Sequence, residues 1–140
     1  MNDEVWKKNS FTISTNKADL DIPLIHKFLS QSYWAKGRTL EQVKGSIENA
    51  YCFGVYEGNK QIGFARVITD FFTFAYLADV FIVPDYQRNN LGLWLVEVIL
   101  SDPILSNVSN WWLITKDAQT LYKKFGFEVF HYPERVMLKK

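Results

Sequence analysis

Val83-Pro84-Asp85-Tyr86-Gln87-Arg88-Asn89-Asn90-Leu91-Gly92-Leu93-Trp94-Leu95 joins an apolar, β-like run to an apolar, helix-like run. A strand that turns through polar and glycine residues into a helix presents free backbone N–H groups at the helix start. Those donors, with the positive end of the helix dipole, form an anion site that suits a phosphate or diphosphate. Asn90 suits such a turn, because asparagine tolerates a left-handed backbone better than most side chains. The stretch is not a P-loop, since no Gly-Lys-Ser/Thr follows, and it lacks the glycines of a dinucleotide fingerprint. Taken alone, it also fits an ordinary strand-to-helix turn with Asn and Gly used for conformation.

Working outward, the periodicity upstream is that of strands. Tyr51 to Glu57 and Gln61 to Thr69 alternate around a Gly58-Asn59 turn, and a third run from Phe74 to Val83 follows a turn at Asp70 to Thr73. Short connections of this kind predict an antiparallel meander. Phe11 to Thr15 reads as an earlier strand, and residues 1–10 read as a loose segment apart from Trp6. Asp21 and Pro23 mark a helix start, with Leu24, Ile25, Phe28 and Leu29 as its apolar stripe. Thr39-Leu40-Glu41-Gln42 caps a second helix that runs to Asn49.

Downstream, Leu91 to Leu100 is apolar around most of its circumference, as expected for a helix packed on a sheet, and Asp102-Pro103 ends it. Trp111 to Thr115 reads as a strand and Ala118 to Phe125 as a helix stopped by Gly126. Phe127 to Phe130 and Arg135 to Leu138 read as a closing hairpin. This order predicts a single α/β domain over residues 1–140, with a mixed, mostly antiparallel central sheet and helices on both faces.

Composition narrows the class of protein. The chain has 140 residues, 48% hydrophobic and 16% aromatic, enough for a packed core and against global disorder. A net charge of +1 gives no footprint for nucleic acid or an anionic membrane. The single cysteine, Cys52, cannot form an internal disulfide and points to a reducing compartment. No apolar run approaches the roughly 18–20 residues of a membrane span. Met1 to Lys8 places acids before its lysines with no apolar core, unlike a secretory signal, so a cytoplasmic location is expected. His26 and His131 are isolated and have no metal-ligand spacing, so no metal is expected. Nothing identifies the oligomeric state, which leaves a homodimer open.

A second signature is Asp117-Ala118-Gln119-Thr120-Leu121-Tyr122-Lys123-Lys124-Phe125-Gly126-Phe127. With the turn before Leu91, it makes the chain resemble the GNAT superfamily of acetyl-CoA-dependent N-acetyltransferases over residues 11–139. The resemblance implies the GNAT acyl-CoA N-acyltransferase fold, with acetyl-CoA as cosubstrate. Gln87 takes the first place of the family's diphosphate loop and Gly92 its last. Asn90 stands where the family has a glycine, so its side chain crowds the approach. The implied cofactor contacts are Gln87, Arg88, Asn89, Asn90, Leu91, Gly92 and Leu93. The backbone of Phe81, Ile82 and Val83 is expected to pair with the pantetheine arm as a pseudo-strand. Asp117 stands where many relatives carry an asparagine that contacts CoA, and it equally fits a cap for the helix that follows. Tyr122 matches the family tyrosine that protonates the departing thiolate. A thiol with a pKa of about 8.5 leaves as thiolate, and a phenol of about 10 can return its proton.

An ammonium acceptor must lose a proton before it attacks a thioester. Asp79, a lone carboxylate in the apolar run Leu77-Ala78-Asp79-Val80-Phe81, is the candidate base. It equally fits a structural partner for Arg66. Tyr76 shares that neighbourhood and is expected to bond the acceptor. Tyr33, Trp34 and Arg38, in the loop between the first two helices, are expected to line the acceptor entrance. Cys52 reads as a small strand residue and not as an acyl-carrying nucleophile. The implied reaction moves acetyl to the primary amine of a small molecule by direct attack in a ternary complex. A non-catalytic CoA-binding sensor or interaction module, and acetylation of a protein amine, are the alternatives.

Overall fold

Consecutive alternating runs pair with one another in a computed structural model that describes residues 3–140, so Met1 and Asn2 lie outside the described residues. Strands β1 (Val5–Lys8), β2 (Phe11–Ser14), β3 (Tyr51–Glu57), β4 (Lys60–Thr69), β5 (Ala75–Ile82) and β6 (Trp111–Trp112) form one sheet in sequence order. All neighbours are antiparallel except β5 and β6. That parallel pair needs a crossover, which is supplied by helix α3 (Leu91–Ser101).

Helices α1 (Ile22–Ser30) and α2 (Leu40–Glu48) lie between β2 and β3. Asp21 caps α1 by accepting from the Leu24 amide, and Thr39 caps α2 in a reciprocal capping box with Gln42. Two apolar clusters show the sheet covered on both faces. Ile25, Leu29, Val43 and Ile47 of α1 and α2 pack on Cys52, Phe64 and Phe81. Leu95, Val96 and Ile99 of α3 pack on Phe53, Val55, Val67 and Leu77. Adjacent residues Cys52 and Phe53 therefore serve opposite faces, as strand alternation requires.

The structure corrects four expectations. The first concerns residues 1–10, whose described part is not loose. Val5–Lys8 pairs with β2 through the two-residue turn Asn9-Ser10, Asn9 taking a φ of 54°, and Trp6 packs on Phe53 with ring centroids 5.9 Å apart. In the second, the strand expected over Trp111–Thr115 stops at Trp112, because the β5–β6 ladder ends at Tyr76 and Trp112. In the third, the fourth helix, α4, is shorter than expected, spanning Gln119–Lys123. In the fourth, the closing hairpin does not form. Residues 128–140 are exposed and Pro133–Arg135 is a 3-10 turn, so Arg135–Leu138 finds no strand partner among the described residues. No helix among the described residues is long and apolar enough to cross a membrane.

Candidate active site

The site is organised by an irregularity in β5. Phe64 pairs with Phe81 and Arg66 with Ala78, so Asp79 and Val80 together oppose the single residue Ala65. This is a bulge, and Asp79 adopts a left-handed φ of 55° within it. The extra residue shifts the phase of the strand. Leu77 faces the α3 cluster, whereas Phe81 faces the α1–α2 cluster. Bulges also leave backbone groups outside the regular ladder, where they can meet a ligand.

Asp79 is 5% exposed and is bonded through both carboxylate oxygens. Trp34 Nε1 donates to Oδ1 at 3.0 Å, while Arg38 Nη1 and Arg66 Nε each donate to Oδ2 at 2.7 Å. A carboxylate engaged by three donors, two of them cationic, ties a loop and a neighbouring strand to the bulge. Arg66 comes from β4. Trp34 and Arg38 come from the α1–α2 loop, which is held by the Gly37 amide bonded to Ser30 O and the Arg38 amide bonded to Ala35 O. Tyr76 is half-buried near the same group, and burial followed by the Asp79 charge raises its pKa.

Past the last β5–β6 pair, Leu77 to Ile82 has no strand neighbour on its outer side. The free edge leads through Val83 into a 3-10 turn at Pro84–Asn89 and then into α3. Asn90 is left-handed at φ 55°, as its residue type predicts, and no side chain caps the helix. Among the described residues, the amides of Leu91, Gly92 and Leu93 have no hydrogen-bond partner, and the first bonded amide is Trp94, to Asn90 O. A Cβ built on Gly92 meets nothing within 4 Å. Arg88, Asn89 and Asn90 are exposed around this opening. Gln87 turns back, its Nε2 donating to Ile82 O at 2.9 Å and so tying the turn to the strand end. The residues thus fit a diphosphate: free donors, a favourable dipole and open space.

Tyr122 of α4 is 7% exposed and packed edge-on against Phe127 at 5.8 Å. Burial, and to a lesser degree the nearby Tyr33, pushes its pKa up to about 12. Its hydroxyl has no hydrogen-bond partner among the described residues. Tyr33 is tethered to the same region, its hydroxyl accepting from the Lys116 amide at 3.1 Å. Asp117 is exposed and does not cap α4. The cap position is Ala118, whose amide is taken by Thr115 Oγ1 at 3.1 Å.

The structure therefore brings Tyr33, Trp34, Arg38, Tyr76 and Asp79 into one neighbourhood, with Tyr122 near Tyr33. It sets Gln87 to Leu93 at the far end of the same strand edge. The Tyr33–Lys116 tether joins residues 83 apart in sequence and had no signal there. Gln42 and Ser46, which line a pocket beside Arg38 and Arg66, were not read as site residues, because Gln42 reads as part of the α2 cap and Ser46 as an ordinary polar position. A separate cavity of about 560 Å³ by Thr15, Asn16 and Tyr51 holds none of the expected site residues.

A mixed sheet whose parallel ladder stops beside a bulge, with an uncapped helix start at the end of the free edge, is the architecture that the comparisons with known proteins classify. The chain belongs to the family described as the acetyltransferase (GNAT) domain, which matches residues 48–129. A solved GNAT-family protein from Xanthomonas campestris pv. campestris is 37% identical, with a TM-score of 0.89 over 93% of this chain and 92% of its own. An uncharacterised N-acetyltransferase from Gracilaria tenuistipitata var. liui is 33% identical over 84% of this chain and 65% of its own. A GNAT acetyltransferase from Elizabethkingia anophelis, solved with acetyl-CoA bound, shares the fold at a TM-score of 0.67 and 17% identity, over 91% of this chain and 85% of its own. The chain spans roughly two thirds or less of the length of the curated relatives it matches.

Proposed function

We propose that this chain transfers the acetyl group of acetyl-CoA to the primary amine of a small molecule, by direct attack within a ternary complex. The observation that carries the reading is the unpaired first turn of α3, opening onto free space in front of Gly92. The Elizabethkingia anophelis relative, with acetyl-CoA in the same fold, supports it. In this reading the amides of Asn90 to Leu93, with Arg88 and Asn89 beside them, receive the diphosphate. The free backbone edge at Phe81, Ile82 and Val83 receives the pantetheine arm. Asp117, exposed just before α4, would meet CoA only as an acceptor, because an ionised carboxylate has no proton to donate.

Tyr122 is assigned the proton donated to the departing thiolate. A backbone amide freed by the bulge at Asp79 and Val80 would stabilise the oxyanion. Asp79 is assigned a positioning role in place of the general-base role. Both its oxygens are already engaged by three donors, and through it Trp34, Arg38 and Arg66 are fixed beside the bulge. Deprotonation of the amine then falls to water, and Tyr33 and Tyr76 would contact the acceptor.

Calorimetric titration with acetyl-CoA, followed by release of free thiol in the presence of an amine panel, tests this. Absence of binding at millimolar acetyl-CoA removes the reading. Binding without thiol release from any amine favours a sensor or interaction module instead.

We also propose that the domain pairs with a second copy. Ile114, Met137 and Leu138 are 80%, 94% and 79% exposed near the unpaired outer side of β6 and along the C-terminal segment. Apolar groups beside an open strand edge favour edge-to-edge pairing. Light scattering on the eluted protein decides between one copy and two.

A further inference from the structure

We infer that the acceptor amine carries a second, anionic group, a carboxylate or a phosphate, and that Arg38 and Arg66, aided by Lys36, bind it. This rests on the acetyltransferase reading above and names the substrate class of that same site.

The pocket beside the bulge has a volume of about 500 Å³ and is lined by Trp34, Lys36, Arg38, Gln42, Ser46 and Arg66, among others, with no acidic side chain in its lining. Among the described residues, the one carboxylate that touches its cations is Asp79, which is not part of the lining. Arg38 and Arg66 both spend a donor on the same atom, Asp79 Oδ2. One negative charge thus faces two guanidiniums, and Lys36 adds a third positive charge at the rim.

Burial makes this imbalance matter. The side chains of Arg38 and Arg66 are 22% and 12% exposed, and that of Asp79 is 2% exposed. A mostly buried cation without its own counter-charge is costly, and a bound anion relieves the cost. Donor supply points the same way. A guanidinium offers five N–H groups. Among the described residues each of these two uses one, both on Asp79. The remainder are planar forks suited to two-pronged contact with a carboxylate or phosphate.

The arrangement is also fixed in advance. Arg66 projects from β4 and Arg38 from the α1–α2 loop, and Asp79 holds the two together. Asp79 sits at the bulge, so an anion on this pair lies next to the place assigned to the acetyl group. The diphosphate region at Asn90 to Leu93 lies beyond Ile82, so the two anion sites are distinct. A polycationic acceptor would need acidic groups, and the pocket has none.

The test uses the intact protein saturated with acetyl-CoA and follows thiol release with matched amines. Each amino acid is paired with its own amide, and 2-aminoethyl phosphate with 2-aminoethanol. A polyamine and a peptide with a free N-terminus and neutral side chains complete the panel. The anionic member of a pair should win by about tenfold or more in kcat/KM. Whichever pair shows the larger ratio separates a carboxylate from a phosphate. Arg66→Gln should raise KM for the anionic amine by a larger factor than KM for its neutral partner, so that the ratio between them narrows. If that variant fails to fold, Lys36→Gln on the exposed rim should narrow the same ratio. Equal or better turnover of the amides, the polyamine or the peptide overturns the inference while acetyl transfer stands. Release with none of these amines overturns it as well, and failure of acetyl-CoA to bind removes both readings.

Discussion

Arg66 and Asp79 meet at the point where β4 and β5 fall out of register, Arg66 Nε donating to Asp79 Oδ2 at 2.7 Å. The contact joins a strained backbone to a charge cluster. Asp79 takes a left-handed φ that costs a non-glycine residue of order 1 kcal/mol or more. Its side chain recovers that cost through three donors. The bulge and the cluster therefore support each other, and removing either should loosen both.

Replacing Asp79 tests this directly. Asp79→Ala leaves two mostly buried guanidiniums facing each other and should destabilise the fold by about 3 kcal/mol. Asp79→Asn keeps an oxygen for a donor and should cost less. Urea unfolding followed by tryptophan fluorescence measures both. Equal stability of the three proteins would show that the cluster contributes nothing to the fold.

Tyr122→Phe removes only a hydroxyl. If that group returns the proton to the thiolate, kcat should fall by about 100-fold or more. Affinity for acetyl-CoA should stay within about twofold, because the ring and its packing on Phe127 are retained. A fall confined to affinity would assign the hydroxyl to binding.

The pH dependence of Tyr122 has a definite sign. Its pKa is pushed up from 10.0 to about 12 by burial. In this range the folded state holds a proton that the unfolded chain releases. The stability from keeping the phenol neutral is therefore fully present below pH 10 and is lost as pH rises through about 12. Titration of Tyr122 should accordingly be absent from rate profiles below pH 10. The neutral profile should rise only with deprotonation of the amine. Thermal melts between pH 9 and 12 should show a decline that is smaller in Tyr122→Phe.

Gly92→Glu separates binding from folding. A side chain at Gly92 meets open space, and a carboxylate in a helix's first turn suits the dipole. The melting temperature should hold or rise slightly. Affinity for acetyl-CoA should drop at least about tenfold, since a negative group then occupies the approach to the free amides. Unchanged affinity would show that the diphosphate binds elsewhere.

Cys52 provides a control on the chemistry. It is 1% exposed, and burial raises its thiol pKa to about 11. It should resist a thiol-specific reagent at neutral pH until the protein is unfolded. Cys52→Ala should retain acetyl transfer, which excludes an acyl-cysteine intermediate.

Much of the architecture was legible because it depends on local rules. Asp21, Thr39 and Pro23 mark helix starts through their own geometry, and Gly58-Asn59 makes a turn that brings β3 and β4 together. The left-handed Asn90 is a conformation that its side chain tolerates better than most. The β1 strand was missed because its evidence is the pairing itself, with Trp6 stabilised by the distant Phe53. The closing hairpin was read from alternation, yet alternation becomes a strand only when a neighbouring edge is available.

The sequence by itself determined the period of most elements, the turn into a helix before Gly92 and the family's two signatures. Those properties arise between residues a few positions apart, where backbone preference and side-chain spacing act directly. Only the tertiary structure decided which groups surround Asp79. Its partners Trp34, Arg38 and Arg66 arrive from a loop and a neighbouring strand, 45, 41 and 13 residues away. Whether a carboxylate takes protons or anchors cations depends on which charges and donors surround it, and chain packing places those neighbours.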